Sequence, residues 1–230
     1  ASGMSAIAVT LINLLNPGDK MVSSTTVYGG SHALFENILP NKLGIDMHFV
    51  KPSDTDKFIE TITPGTKAVF IETEANPTME IADLARIADR AHEVGAKLIV
   101  DNTFTPLTYS PKKAGADIVV YSATKFVGGR SDSVVGLICS DHDSMLEIMG
   151  LHEGTLMLLG PTADPSVVAK FEIYLRDLPL RIKEHSARAL EFAKRLEAKG
   201  LSVEYPGLES HPQHELAKSM MNEKFGFGGM

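Results

Sequence analysis

The chain has 230 residues, 43% of them hydrophobic and 22% charged, the composition of an ordinary soluble globular protein with enough chain to bury a large core. A net charge of −7 with no Lys/Arg cluster argues against nucleic-acid binding, and no apolar run approaches the ~20 residues of a membrane span. The single cysteine, Cys139, excludes an internal disulfide and a cysteine-rich metal site.

Residues 5–15 are apolar and stop at Asn16-Pro17-Gly18-Asp19, which reads as a helix followed by a turn. Met21-Val22-Ser23 reads as a short strand, residues 31–39 as a helix, and Asp46-Met47-His48-Phe49-Val50 as a strand. Residues 54–62 read as a helix capped by Ser53 or Asp54. Ala68-Val69-Phe70-Ile71-Glu72 is a strand, and residues 80–94 have the clearest helical face, with Ile81, Leu84, Ala85, Ala88 and Ala91 together and Gly95 as the stop. Lys97-Leu98-Ile99-Val100-Asp101 and Asp117-Ile118-Val119-Val120-Tyr121 are the next strands. Val135-Gly136-Leu137-Ile138-Cys139 follows, with Cys139 expected as a buried thiol. Residues 165–199 are helical with a break expected near Leu178-Pro179, and Leu201-Ser202-Val203-Glu204-Tyr205-Pro206 reads as a strand and turn. Strands that are apolar throughout and alternate with helices predict an α/β fold, a mostly parallel sheet covered by helices on both faces.

Ligands on such sheets sit beyond the carboxyl ends of the strands, and there the polar residues collect. Lys125 follows the strand Asp117-Ile118-Val119-Val120, with Ser122 and Thr124 before it and Gly128-Gly129 after it. A lysine desolvated in that setting is a nucleophile, and the two hydroxyls suit an anion beside it. Asp101 ends the neighbouring strand, and an aspartate in a buried layer needs a partner. An amine for an aldehyde and a carboxylate for a pyridinium nitrogen are what a pyridoxal phosphate site requires. Three further segments are weak alone. Ser2-Gly3-Met4-Ser5 is a small-residue helix start that lets N–H groups approach a phosphate. Tyr28, beside Gly29-Gly30, is a packing residue or a ring that stacks on a heterocycle. Asn76-Pro77 is a turn starter, or a donor to a ring hydroxylate. His211 and His214 have the spacing of a ligand pair, but nothing completes a metal set, so a polar turn is the better reading.

Ser2-Gly3-Met4-Ser5-Ala6, Tyr28-Gly29-Gly30, Glu72-Thr73-Glu74-Ala75-Asn76-Pro77-Thr78, Val100-Asp101-Asn102-Thr103-Phe104 and Ser122-Ala123-Thr124-Lys125-Phe126 occur in one order. In that order they resemble the pyridoxal-phosphate enzymes of cysteine and methionine metabolism. This trans-sulfuration family includes cystathionine γ-synthase, the cystathionine lyases, O-acetylhomoserine sulfhydrylase and methionine γ-lyase. Leu158-Leu159-Gly160-Pro161-Thr162, Tyr205-Pro206-Gly207-Leu208 and His211-Pro212-Gln213-His214 extend the match and look most like plant-type methionine γ-lyase. Two positions depart from the pattern: Arg130 stands where many members have histidine, and Gly30 where bacterial methionine γ-lyases carry cysteine.

The resemblance implies a type I, aspartate-aminotransferase-like fold with pyridoxal 5'-phosphate as cofactor. It implies Lys125 as the Schiff-base lysine and proton shuttle, and Asp101 as the partner of the pyridine nitrogen. Tyr28 would stack on the ring and assist loss of the γ-substituent. Gly3, Met4, Ser122 and Thr124 would hold the phosphate, and Asn76 would contact the ring oxygen. The implied reaction is γ-elimination on methionine to methanethiol, 2-oxobutanoate and ammonia; the alternatives are the trans-sulfuration activities of cystathionine γ-synthase, cystathionine γ-lyase or O-acetylhomoserine sulfhydrylase, or an inactive fragment of such an enzyme. The expected organisation is a cofactor-binding domain over residues 1–175, lacking its N-terminal arm, and the start of a smaller, truncated α+β domain over 176–230. The further expectations are a cytoplasmic enzyme without signal peptide, metal, nucleic-acid or membrane partner. Its full-length form would be a homotetramer built as a dimer of dimers, acting on a small amino acid. The chain alone, as part of a longer protein, is expected to be inactive or poorly active, because the missing parts would supply residues to the phosphate and the substrate carboxylate.

Overall fold

The computed structural model describes residues 1–230. Its elements in chain order are α1 (Gly3–Leu14), β1 (Lys20–Ser24), α2 (Gly29–Ala33), α3 (Leu39–Leu43), β2 (Asp46–Val50), α4 (Thr55–Thr61), β3 (Thr66–Glu72), α5 (Leu84–Glu93), β4 (Lys97–Asp101), β5 (Ile118–Ser122), β6 (Gly136–Cys139), α6 (His142–Met149), α7 (Thr155–Leu159), α8 (Pro165–Glu197) and α9 (His214–Met220). A π-helical turn, Leu34–Ile38, joins α2 to α3. No helix is long and apolar enough to cross a membrane.

One six-stranded sheet has the order β2-β1-β3-β4-β5-β6, parallel throughout except for the antiparallel edge strand β6. Successive side chains in a strand point to opposite faces. Val69, Ile71, Leu98 and Val100 therefore bury against Phe58 of α4 and Ile87, Ala88 and Ala91 of α5. Ala68, Phe70, Ile99, Ile118 and Val120 bury on the other face, against Ala6, Ile7 and Leu11 of α1 and against Phe35 and Leu39. Phe35 meets Phe70 edge to face at 4.9 Å. Each such fully buried ring stabilises the fold by about 1.5–3 kcal/mol. Burial on both faces is why the strands are apolar runs rather than alternating ones.

Four expectations are corrected. The helix expected over 80–94 begins only at Leu84, because Asp83 caps it by accepting the Arg86 N–H at 3.2 Å. Ile81 lies outside it, in an isolated bridge with Glu74, its N–H donating to Gln213 Oε1 at 2.9 Å. The break near Pro179 is absent: α8 runs unbroken from Pro165 to Glu197 and so passes straight through residue 175. A proline inside a helix costs about 3 kcal/mol. Here Phe171, Leu178 and Ile182 anchor both sides of the proline in a core with Ala123 and Val127. Residues 201–206 form no strand, since they find no sheet edge to pair with. Cys139 is exposed, because β6 is an edge strand with one face uncovered.

Candidate active site

β3, β4 and β5 end side by side, with Glu72 opposite Asp101 and Asp101 opposite Val120. Two residues beyond Phe70, Ile99 and Val120, the same alternation puts Glu72, Asp101 and Ser122 on the face covered by α1. The N-terminus of α1 arrives at the same place. Ser2 caps it by accepting the Ser5 N–H at 3.1 Å. A Cβ on Gly3 would sit 2.6 Å from Ser122 Cβ, so only glycine allows this approach. The first N–H groups of a helix have no intrahelical acceptor, and with the helix dipole they favour an anion there.

A cleft of about 200 Å³ opens at these strand ends. Gly3, Met4, Tyr28, Asp101, Ser122, Thr124 and Lys125 all line it, seven of the eight residues that the sequence singles out. The eighth, Asn76, does not line it; its backbone N–H points to Glu72 Oε2 at 3.4 Å.

Asp101 is 8% exposed. Burial pushes its carboxyl up to about 6, opposed by the hydroxyl and N–H of Thr103, which both donate to Oδ1, at 2.5 and 3.0 Å. Oδ2 receives no hydrogen bond from the chain, which leaves it for a ligand. The Thr103 hydroxyl also accepts the Ser122 N–H at 2.7 Å and so ties the end of β4 to that of β5. Thr124 Oγ1 accepts the Val135 N–H at 3.1 Å, which holds the turn carrying Lys125 against the approach to β6. Tyr28 is 53% exposed, more open than a packing residue, with its N–H held by Glu72 Oε1 at 2.6 Å.

The desolvation argument for Lys125 fails. The residue is exposed, because it stands in the first turn past β5, at the cleft mouth rather than in the apolar layer behind it. It also borders a second, more open cavity with Phe126 and His185.

The residues that sequence reasoning left without a role are Thr103, Glu72 and Glu74. Glu72 is 5% exposed, and its carboxyl is pushed up to about 8 by burial first and by the charge of Asp101 second. It clamps the Tyr28 turn to the Asn76 turn through two backbone N–H groups. The signal that marks Asp101, an acid ending an apolar strand, marks Glu72 equally. Glu74, two residues on, is 2% exposed and pushed up to about 8 by burial.

This donor set fits pyridoxal 5'-phosphate. The cleft offers a primary amine, a buried carboxylate with one free oxygen, an aromatic ring at the rim, and a glycine-tight helix N-terminus beside a serine. The sequence profile of the family described as Cys/Met metabolism PLP-dependent enzyme matches residues 1–230. A methionine gamma-lyase of Arabidopsis thaliana is 42% identical, over all of this chain and 52% of its own length. A cystathionine beta-lyase of Coxiella burnetii is 39% identical, over all of this chain and 59% of its own. The crystal structure of metB from Corynebacterium glutamicum superposes with a TM-score of 0.91 at 32% identity, over 99% of this chain and 58% of that one. The chain thus spans about half the length of the curated relatives it matches.

Proposed function

This chain belongs to the Cys/Met-metabolism family of pyridoxal-phosphate-dependent enzymes, and from that premise we propose that the protein cleaves the γ carbon–sulfur bond of methionine. Methionine and water would give methanethiol, 2-oxobutanoate and ammonia. The observation that carries the reading is the meeting of Lys125, Tyr28 and Asp101 in one cleft beside the N-terminus of α1.

Bound pyridoxal phosphate supplies an electron sink that stabilises negative charge on the substrate carbons. Asp101 would keep a proton on the ring nitrogen, and Thr103 fixes the carboxylate's orientation through Oδ1. Gly3, Met4, Ser122 and Thr124, which line the cleft, would hold the phosphate. Lys125 would supply the amine for the aldehyde, and its Nζ would carry the α-proton and then a β-proton of the substrate. Tyr28, held by Glu72 at its backbone, lines the cleft, and its hydroxyl would supply the proton to the departing sulfur.

A second reading is trans-sulfuration on cystathionine. It is supported by the 39% identity to the cystathionine beta-lyase, within a few per cent of the methionine gamma-lyase. The deciding experiment uses the full-length protein, with product analysis on methionine, cystathionine and O-acetylhomoserine and borohydride labelling to locate the cofactor lysine. Methanethiol and 2-oxobutanoate from methionine, with the label on Lys125, support the first reading. A label elsewhere removes Lys125 from its role.

A further inference from the structure

Thr73 and Asn102 belong to the motifs around the cleft, yet they are 1% and 0% exposed and neither lines it. The fold brings the two together behind it. Asn102 Oδ1 accepts the Thr73 hydroxyl at 2.8 Å and the Thr105 hydroxyl at 2.5 Å. Nδ2 donates to the Thr105 and Tyr109 carbonyls, each at 3.3 Å, and to the Tyr121 hydroxyl at 3.1 Å. Carbonyls only accept, so the amide fits this way round and not the other. Its oxygen and both its hydrogens are in use, with nothing left for water or a ligand. One side chain thus joins the exit of β3, the loop after β4 and the end of β5. A buried polar network with every member satisfied is rigid, and removing a member leaves a costly unpaired group.

That rigidity bears on Asp101. The Thr73 N–H donates to the Asp101 carbonyl at 3.1 Å, so Thr73 grips residue 101 by its backbone and residue 102 by its hydroxyl. The Asn102 N–H donates to the Val120 carbonyl at 3.0 Å. On either side of Asn102, Asp101 and Thr103 line the cleft, and the Thr103 hydroxyl donates to Asp101 Oδ1. Phe104 and Thr105 continue the cleft wall from the same loop. A shift of Asn102 carries these neighbours with it, and a site group tolerates an error of only about 0.5 Å.

We propose that Thr73 and Asn102 are a positioning pair for Asp101, which set its carboxyl for the ring nitrogen of pyridoxal phosphate while touching neither cofactor nor substrate. The inference rests on the cofactor role given to Asp101 above and deepens it. Thr103 orients the carboxyl from within the cleft, and the Thr73–Asn102 pair fixes the backbone that carries both.

The test uses the full-length protein with bound pyridoxal phosphate, as wild type, Thr73→Val, Thr73→Ser and Asn102→Ala. Valine keeps the shape of threonine without the hydroxyl, and serine keeps the hydroxyl. Phe58→Leu, in the apolar core under α4, is the control for a plain loss of stability. The first readout is the nitrogen NMR shift of isotope-labelled cofactor, which reports the proton on the ring nitrogen. Asp101→Asn marks its value without the carboxylate. Thr73→Val moves the shift part of the way to that mark and Asn102→Ala moves it further, while Thr73→Ser and Phe58→Leu leave it at the wild-type value. The second readout is steady-state kinetics on methionine. In Thr73→Val kcat falls roughly 5- to 20-fold with KM within about twofold, and Thr73→Ser returns kcat to within about twofold of wild type. If Asn102→Ala does not fold, the two Thr73 variants decide. A ring-nitrogen shift that stays put in Thr73→Val, that moves equally in Phe58→Leu, or that Thr73→Ser fails to restore overturns the proposal. If methionine is not cleaved but the shift still follows the Thr73 hydroxyl, the methionine reading falls and this one stands.

Discussion

The Arg181 guanidinium donates to the Phe126 carbonyl at 2.7 Å, one residue past Lys125. Its other nitrogens reach the Val127 and Tyr174 carbonyls at 2.9 and 3.0 Å and Asp177 at 2.8 Å. The loop after Lys125 is thereby fastened to the middle of α8, and Gly129 is where it passes the guanidinium, since a Cβ there would fall 2.1 Å from Nη1. Lysine keeps the charge but lacks the planar fork. Arg181→Lys is expected to lose roughly 2–4 kcal/mol of stability. Amide exchange over 126–129 should quicken by more than the global loss explains. Urea unfolding and hydrogen exchange measure both, and unchanged local exchange would refute the fastening.

Gly3 sets how closely α1 approaches β5. Gly3→Ala drives its methyl against Ser122 Cβ and Cα, at 2.6 and 2.9 Å. Overpacking of this kind costs about 1–3 kcal/mol. That cost lowers the melting temperature of the cofactor-free form, and if the phosphate sits at this helix end the shifted helix also weakens cofactor binding. The dissociation constant for pyridoxal phosphate is then expected to rise about 5- to 100-fold in the full-length protein. A lower melting temperature with unaltered cofactor affinity would place the phosphate elsewhere.

Asp101→Asn keeps the shape of the carboxyl and removes its charge. Breaking one partner of a buried ion pair costs about 3–5 kcal/mol. The variant is expected to turn over at least ~100-fold more slowly. Thr103→Val, which removes the 2.5 Å hydroxyl contact to Oδ1, should lower kcat less and leave KM near its wild-type value. Steady-state kinetics on both separate the charge from its orientation. An Asp101→Asn enzyme with wild-type kcat would show that this carboxylate does not face the ring nitrogen.

Much of this was legible in the sequence, for a physical reason. Central strands buried on both faces are short apolar runs, so β4 falls on its expected residues and β1, β3 and β5 within two; the part-exposed edge strand β2 also falls on its expected residues, and β6 within one. Site residues at strand ends are legible in the same way, because a polar residue closing such a run stands at the carboxyl edge of the sheet, as Asp101 and Ser122 do. What stayed hidden depends on contacts distant in the chain. Pro179 should break α8, yet the helix is continuous, anchored on both sides by Phe171, Leu178 and Ile182. Asn76 and Glu72 belong to one motif, but only the fold turns Glu72 into the cleft and leaves Asn76 outside its lining. The exposure of Lys125 reflects where its turn leaves the sheet, which no local pattern encodes.

Glu72 and Glu74 also give the cofactor-free protein a pH dependence of definite sign. Both carboxyls are raised from an ordinary 4.5 to about 8 by burial, Glu72 with help from Asp101. Between those values the native state binds protons that the unfolded chain has already lost, so stability falls as pH rises. Their contribution is fully present below about pH 4.5 and gone above about pH 8. For Glu74 alone, a shift of this size is worth on the order of 5 kcal/mol. Thermal unfolding of the full-length, cofactor-free protein from pH 5 to pH 9 should therefore show Glu74→Gln close to wild type at the acid end. The variant should be increasingly more stable than wild type towards pH 8. Parallel curves across the range would mean that Glu74 is ionised and partnered in the folded protein.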